Sequence, residues 1–167
     1  NARQKHRVSE KLFAALGAKA RGAGVAMWGL AFKANTDDMR ESPALTVIAD
    51  LLDAGARIVA HDPVAIPEAQ RRLDGQVEFA ESSYEALRDA DALAVLTDWN
   101  EYRHPDFERM RSLMRRPLIV DGRNLYATEK MQRLGFEYHS IGRGRDATVG
   151  GAGAEPSARS PAIGLRV

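Results

Sequence analysis

Gly24-Val-Ala-Met-Trp-Gly-Leu-Ala-Phe-Lys-Ala-Asn-Thr-Asp-Asp-Met-Arg-Glu-Ser-Pro43 is the stretch on which the fold of this chain turns. Its first residues form an apolar run of strand length. A long polar loop follows, and Ser42-Pro43 then has the composition of a helix start, with serine as N-cap and proline at the first helical position. Leu45, Ile48, Ala49, Leu51 and Leu52 give a helical stripe that stops at Gly55. Arg57-Ile-Val-Ala-His-Asp62, closed by Pro63, is a second strand. A connection long enough to carry a helix makes the two strands parallel.

The alternation continues outward from this unit. Residues 3–18 read as a helix with Val8, Leu12, Phe13 and Leu16 on one face and Gly17 as its stop signal. Short strands are expected near 77–79, 92–97, 118–120 and 136–141, with helical turns near 84–88, 107–114 and 129–134. Strands alternating with helices predict an α/β fold, a Rossmann-like doubly wound parallel sheet of about six strands. Three parts follow: a lead-in helix over 1–20, a domain over 21–143, and a tail over 144–167. The tail, rich in Gly, Ala, Ser, Pro and Arg without periodicity, is expected to be disordered.

Composition narrows the function. The chain has 167 residues, 44% of them hydrophobic, and 24 basic side chains against 23 acidic ones. That balance gives no electrostatic reason to expect nucleic acid as a partner. There is no cysteine, so disulfides, thiolate metal sites and cysteine nucleophiles are excluded. A cytoplasmic location is the expectation, which the missing disulfides favour only weakly. No apolar run approaches the roughly 20 residues of a membrane-spanning helix. The four histidines lie in separate elements without metal-ligand spacing, so no metal is expected. The chain does not begin with Met, which suggests a piece of a longer protein.

Two loops collect candidate ligand-binding groups at the C-terminal edge of the expected sheet, where open α/β folds bind ligands. Phe32 and Lys33 place a stacking face beside a point charge, although a half-buried Phe and a solvated Lys would read the same way. Arg40, just before a helix N-terminus, calls for an anionic ligand or an ion pair with Asp37 or Asp38. Asp121-Gly-Arg-Asn124 ends a strand at the same edge, where Gly122 permits a tight turn or positive φ and Arg123 can fork onto a phosphate. The loop after the first strand lacks G-x-G-x-x-G, so a dinucleotide site of the usual kind is not expected within this chain. Asp62 then reads as a strand terminator rather than a ribose ligand.

Several separate motifs carry a resemblance. Gly29-Leu-Ala-Phe-Lys33, Thr36-Asp-Asp-Met-Arg-Glu-Ser-Pro43, Ala60-His-Asp-Pro63, Thr97-Asp-Trp-Asn-Glu-Tyr-Arg103 and Asp121-Gly-Arg-Asn-Leu-Tyr126 stand in order over roughly residues 1–143. They resemble the C-terminal, UDP-sugar-binding domain of the UDP-glucose/GDP-mannose dehydrogenase family, and the bacterial UDP-glucose 6-dehydrogenase branch most. The resemblance implies that Phe32, Lys33 and Arg123 contact a UDP-sugar. It also implies that Arg40 reaches an NAD held mainly by an N-terminal dehydrogenase domain, and that the full-length enzyme is a homo-oligomer. Such enzymes oxidise C6 of the sugar twice, through a cysteine that belongs to the N-terminal part. Trp28 stands where the family usually has an aliphatic residue and is expected to change packing only; His61 stands where Tyr is common. A free-standing nucleotide-sugar-binding or regulatory module without catalysis is the alternative.

Overall fold

A computed structural model describes residues 2–142; the tail expected over 144–167 lies outside the described residues. Six strands form a single sheet: β1 (Gly24–Trp28), β2 (Arg57–His61), β3 (Glu78–Phe79), β4 (Ala92–Val95), β5 (Leu118–Asp121) and β6 (Glu137–Ser140). Every adjacent pair is parallel. The order β3-β2-β1-β4-β5-β6 is that of dinucleotide-binding folds, with the strand order reversing between β1 and β4. The helices are α1 (Ala2–Lys5), α2 (Arg7–Leu16), α3 (Pro43–Asp53), α4 (Ile66–Leu73), α5 (Ser83–Ala86), α6 (Phe107–Leu113) and α7 (Thr128–Arg133).

Consecutive residues of β1 from Val25 to Trp28 are all buried, as are all four residues of β4 and of β5. Both faces of the central sheet are therefore covered, which is why these strands read as continuous apolar runs rather than alternating ones. Helix α2 packs against α3, β4 and β5, whereas α5 packs against α6, β1 and β2. The stripe Val8, Leu12 and Leu16 is the buried face of α2, with Phe13 half-buried beside it.

Two helices differ from the expectation. The first helix breaks at His6, and its last turn tightens into a 3-10 helix over Gly17–Ala20. Helix α4, not expected, has only two buried residues, Ala69 and Leu73. Its Pro67 stands in the first turn, where a missing N–H costs nothing. Trp28 does pack, as expected: it stacks on Tyr102 at 4.9 Å and donates its indole N–H to the Ser83 carbonyl.

Candidate functional site

The C-terminal edge is shaped first by Gly29. Its φ is +102°, and a Cβ there would stand 2.4 Å from the Thr97 side chain, so the β1 chain can pass the β4 loop only without a side chain. The Thr97 hydroxyl then donates to the Ala31 carbonyl at 2.7 Å. Asp62, 2% exposed at the end of β2, completes the seam. Its Oδ2 accepts from the backbone N–H of Leu30 and Ala31 and from the Trp99 indole, and its Oδ1 accepts from the N–H of Val64 and Ala65. One buried carboxylate thus joins the loops after β1, β2 and β4. The strand-terminator reading of Asp62 is enlarged by this: it organises the whole edge.

Beyond Ala31 the loop climbs to the surface. Phe32 is 45% exposed, and Phe32 and Val64 are the large apolar side chains left exposed among the described residues. Lys33 is exposed and has no ion-pair partner among the described residues. Arg40 is exposed and forks onto Asp38, with Nε and Nη2 each 3.0 Å from a carboxylate oxygen. The ion pair with Asp38, one of the alternatives for Arg40, is formed. That guanidinium, together with the Arg40 N–H, holds the Asp38 carboxyl at about 2. The Asn35-to-Asp38 segment is the turn cluster its composition suggests: Thr36 Oγ1 accepts from the Asp38 N–H, and Asp38 Oδ1 from the Arg40 N–H.

The loop after β5 is built on Asp121, which is fully buried. It accepts from the N–H of Arg123, Leu125 and Tyr126 and from the Tyr138 hydroxyl. Of the two readings of Gly122, a tight turn or a positive φ, positive φ is not the one found; it falls on Asn124 (55°). Asn124 holds that conformation by exchanging side-chain bonds with the Ile141 backbone. Gly122 is needed for another reason: a Cβ there would lie 3.0 Å from Val8 and from the Val95 carbonyl. Arg123 is thereby turned outward, 3.5 Å from Asp98.

Asp98 is the residue that the sequence reading passed over. It sits on the β4 loop between the other two, paired with Arg123 at 3.5 Å and Arg103 at 3.4 Å. It also lines a cleft of about 540 Å³ with Ala34, Asn35, Pro63, Trp99 and Arg103. The Phe32-Lys33 loop and the Arg123 loop therefore stand on either side of Asp98 at one edge of the sheet. Arg103 is the one cation among the residues lining this cleft, beside Asp98 and Glu101, and Phe32, Lys33, Arg40 and Arg123 do not line it. Behind it, His61 is 5% exposed, with Nδ1 2.9 Å from the Tyr102 hydroxyl; burial pushes its pKa down, against the opposing pull of Glu101 and Asp62. Burial likewise pushes the Tyr102 and Tyr126 phenols up, so both stay neutral donors. Among the described residues no cluster of His, Asp or Glu could hold a metal ion. No helix among them is long and apolar enough to cross a membrane.

The chain is similar to known proteins along most of its length. UDP-glucose 6-dehydrogenase of Rhizobium meliloti (strain 1021) is 46% identical over 143 residues, a match covering 86% of this chain and 32% of the relative. UDP-glucose 6-dehydrogenase of Pseudomonas aeruginosa is 47% identical over 150 residues, covering 87% and 33%. The solved UDP-glucose dehydrogenase of Pyrobaculum islandicum superposes with a TM-score of 0.70 at 33% identity, over 83% of this chain and 29% of that one. The chain thus spans about a third of the length of the curated relatives it matches. Residues 26–128, which carry the seam at Asp62 and both loops, match the model of the UDP binding domain of the UDP-glucose/GDP-mannose dehydrogenase family, and to that family this chain belongs.

Proposed function

We propose that this chain is the C-terminal, UDP-sugar-binding third of an NAD-dependent UDP-glucose 6-dehydrogenase, the enzyme that oxidises UDP-glucose to UDP-glucuronate. The observation that carries the reading is the placing of exposed Phe32 and Lys33 after β1 and of exposed Arg123, paired with Asp98, after β5, at the sheet edge where the strand order reverses. In this reading Phe32 stacks on the uracil, while Lys33 and Arg123 neutralise the diphosphate. Asp98 holds Arg123 in place until the phosphate takes its guanidinium. Asp62 keeps the loops in register, so binding costs little reordering.

NAD accepts the hydride in such a reaction, and the residues present do not build a site for it. The Gly29 loop has no G-x-G-x-x-G, and the Asp62 carboxylate is fully occupied by five N–H donors rather than open to a ribose. NAD is accordingly assigned mainly to an N-terminal dehydrogenase domain of the longer protein, with exposed Arg40 as this chain's contact to it. The full enzyme is a cytoplasmic homo-oligomer in this reading. Calorimetric titration with UDP-glucose, UDP-N-acetylglucosamine and GDP-mannose tests the substrate assignment. UDP-glucose should bind at least about tenfold more tightly than GDP-mannose; equal affinity for the two would contradict it.

A further inference from the structure

The sheet has a second edge, at the N-terminal ends of its strands. β1 is five residues long, which puts the two edges roughly 16 Å apart at about 3.3 Å per residue. A cavity of about 530 Å³ opens at this far edge, lined by Lys19, Arg21, Asp91, Arg115 and Arg116. Leu16 and Ala23, both buried, give it an apolar floor. Four cations and one carboxylate thus line it, and Glu137 pairs with one of the four, Arg116.

Arg115 and Arg116 are held there by pairing. Arg116 donates from Nη2 to the Ala15 carbonyl at 3.2 Å and to Glu137 at 2.8 Å. Asp91 accepts the Gly24 N–H at 2.8 Å and lies 3.5 Å from Arg115, so its charge is shared. The Arg21 stem lies over Gly55, its Cγ 3.2 Å from where a Cβ would stand. Lys19 and Arg21 have no ion-pair partner among the described residues. Like charges gathered around a concave, half-apolar surface repel one another and concentrate anions. Several guanidiniums at different angles fit a ligand with adjacent charged groups, each presenting several acceptor oxygens.

We propose that this cavity is a second anion site that takes a polyphosphate chain, free or carried by a nucleoside, independently of the UDP-sugar site. Amide spectra of the ¹⁵N-labelled chain, titrated with tripolyphosphate in the presence of saturating UDP, test it. Saturable shifts are expected at Arg21, Gly22, Ala23, Asp91, Arg115 and Arg116, weakened by added salt. The Arg21→Ala/Arg115→Ala variant should lose at least about tenfold in affinity while keeping its UDP shifts at Lys33 and Arg123. A parallel titration with ATP separates the sources: an additional shift at Leu16 favours a nucleotide, and its absence favours the free chain, either one supporting the site. Tripolyphosphate shifts confined to residues 30–40 and 121–126, loss of the far-edge shifts when UDP is added, or undiminished binding by the double variant would each overturn the proposal.

Discussion

Asp62 is where residue-scale chemistry has the widest reach. Replacing it with Ala leaves five N–H donors, four backbone and one indole, facing an apolar gap. Each unmet buried donor costs about 1–3 kcal/mol, so even with partial rescue by water Asp62→Ala should lose at least about 3 kcal/mol. Urea unfolding measures this, and a midpoint near that of the parent chain would contradict the seam. His61 gives a pH prediction. Burial depresses its folded pKa, so below its ordinary value near 6.5 the unfolded chain takes a proton that the folded chain refuses. Stability should be full above that value and fall as pH drops through the window between it and the depressed folded value. His61→Gln should flatten this window in melting curves recorded from pH 7.5 to 5; an unchanged slope would show that His61 is not its source. At this scale the sequence was partly legible. The place of Phe32 and Lys33 after β1 and of Arg123 after β5 was legible, because apolar runs mark the strand ends. The role of Asp98 was not, because its partners Arg103 and Arg123 include one that is 25 positions away and across a strand. The five-donor role of Asp62 was hidden for the same reason: its five donors lie in three different loops.

At the scale of elements, the join between the β1 loop and α3 is the informative one. Ser42 caps α3, accepting from the Ala44 N–H at 3.2 Å, and its hydroxyl donates to the Leu30 carbonyl at 2.7 Å. Ser42→Ala should cost about 1–2 kcal/mol, since cap and loop tie go together. A thermal melt unchanged within error would argue against it. Lys5 adds a second tie, reaching Glu41 at 2.8 Å from the lead-in helix, and His6 meets Asp50 at 2.7 Å. These exposed pairs steer rather than stabilise. The Ser42-Pro43 start and the Gly55 stop were readable because capping and positive φ are written in single residues. Helix α4 was not, because eight mostly polar residues with Pro67 near the start resemble a loop until Ala69 and Leu73 find the core. The short strands β3 and β6 were found with their ends shifted by a residue, since pairing partners rather than local propensity decide where a ladder stops.

For the whole molecule, the parallel order β3-β2-β1-β4-β5-β6 explains why two loops separated by some ninety residues share one edge. Strand-helix alternation predicted that sheet, but alternation alone does not fix the order of strands. The composition sets a limit on activity. With no cysteine and no dinucleotide fingerprint, this chain alone should produce no NADH from UDP-glucose; turnover at the NADH absorbance band would overturn that. The central claim is that the C-terminal edge binds a UDP-sugar through Lys33 and Arg123. The direct measurement is calorimetric titration of UDP-glucose into the parent chain, Lys33→Ala, Arg123→Ala and Lys130→Ala. Lys130 sits on α7 with its ammonium 5.1 Å from the Phe107 ring, outside the proposed site. A lost bond to a charged group costs about 1.5–3 kcal/mol, so Arg123→Ala should bind roughly ten- to a hundredfold more weakly. Lys33→Ala should also weaken, and Lys130→Ala should match the parent. Parent-like affinity in both Lys33→Ala and Arg123→Ala would contradict the account.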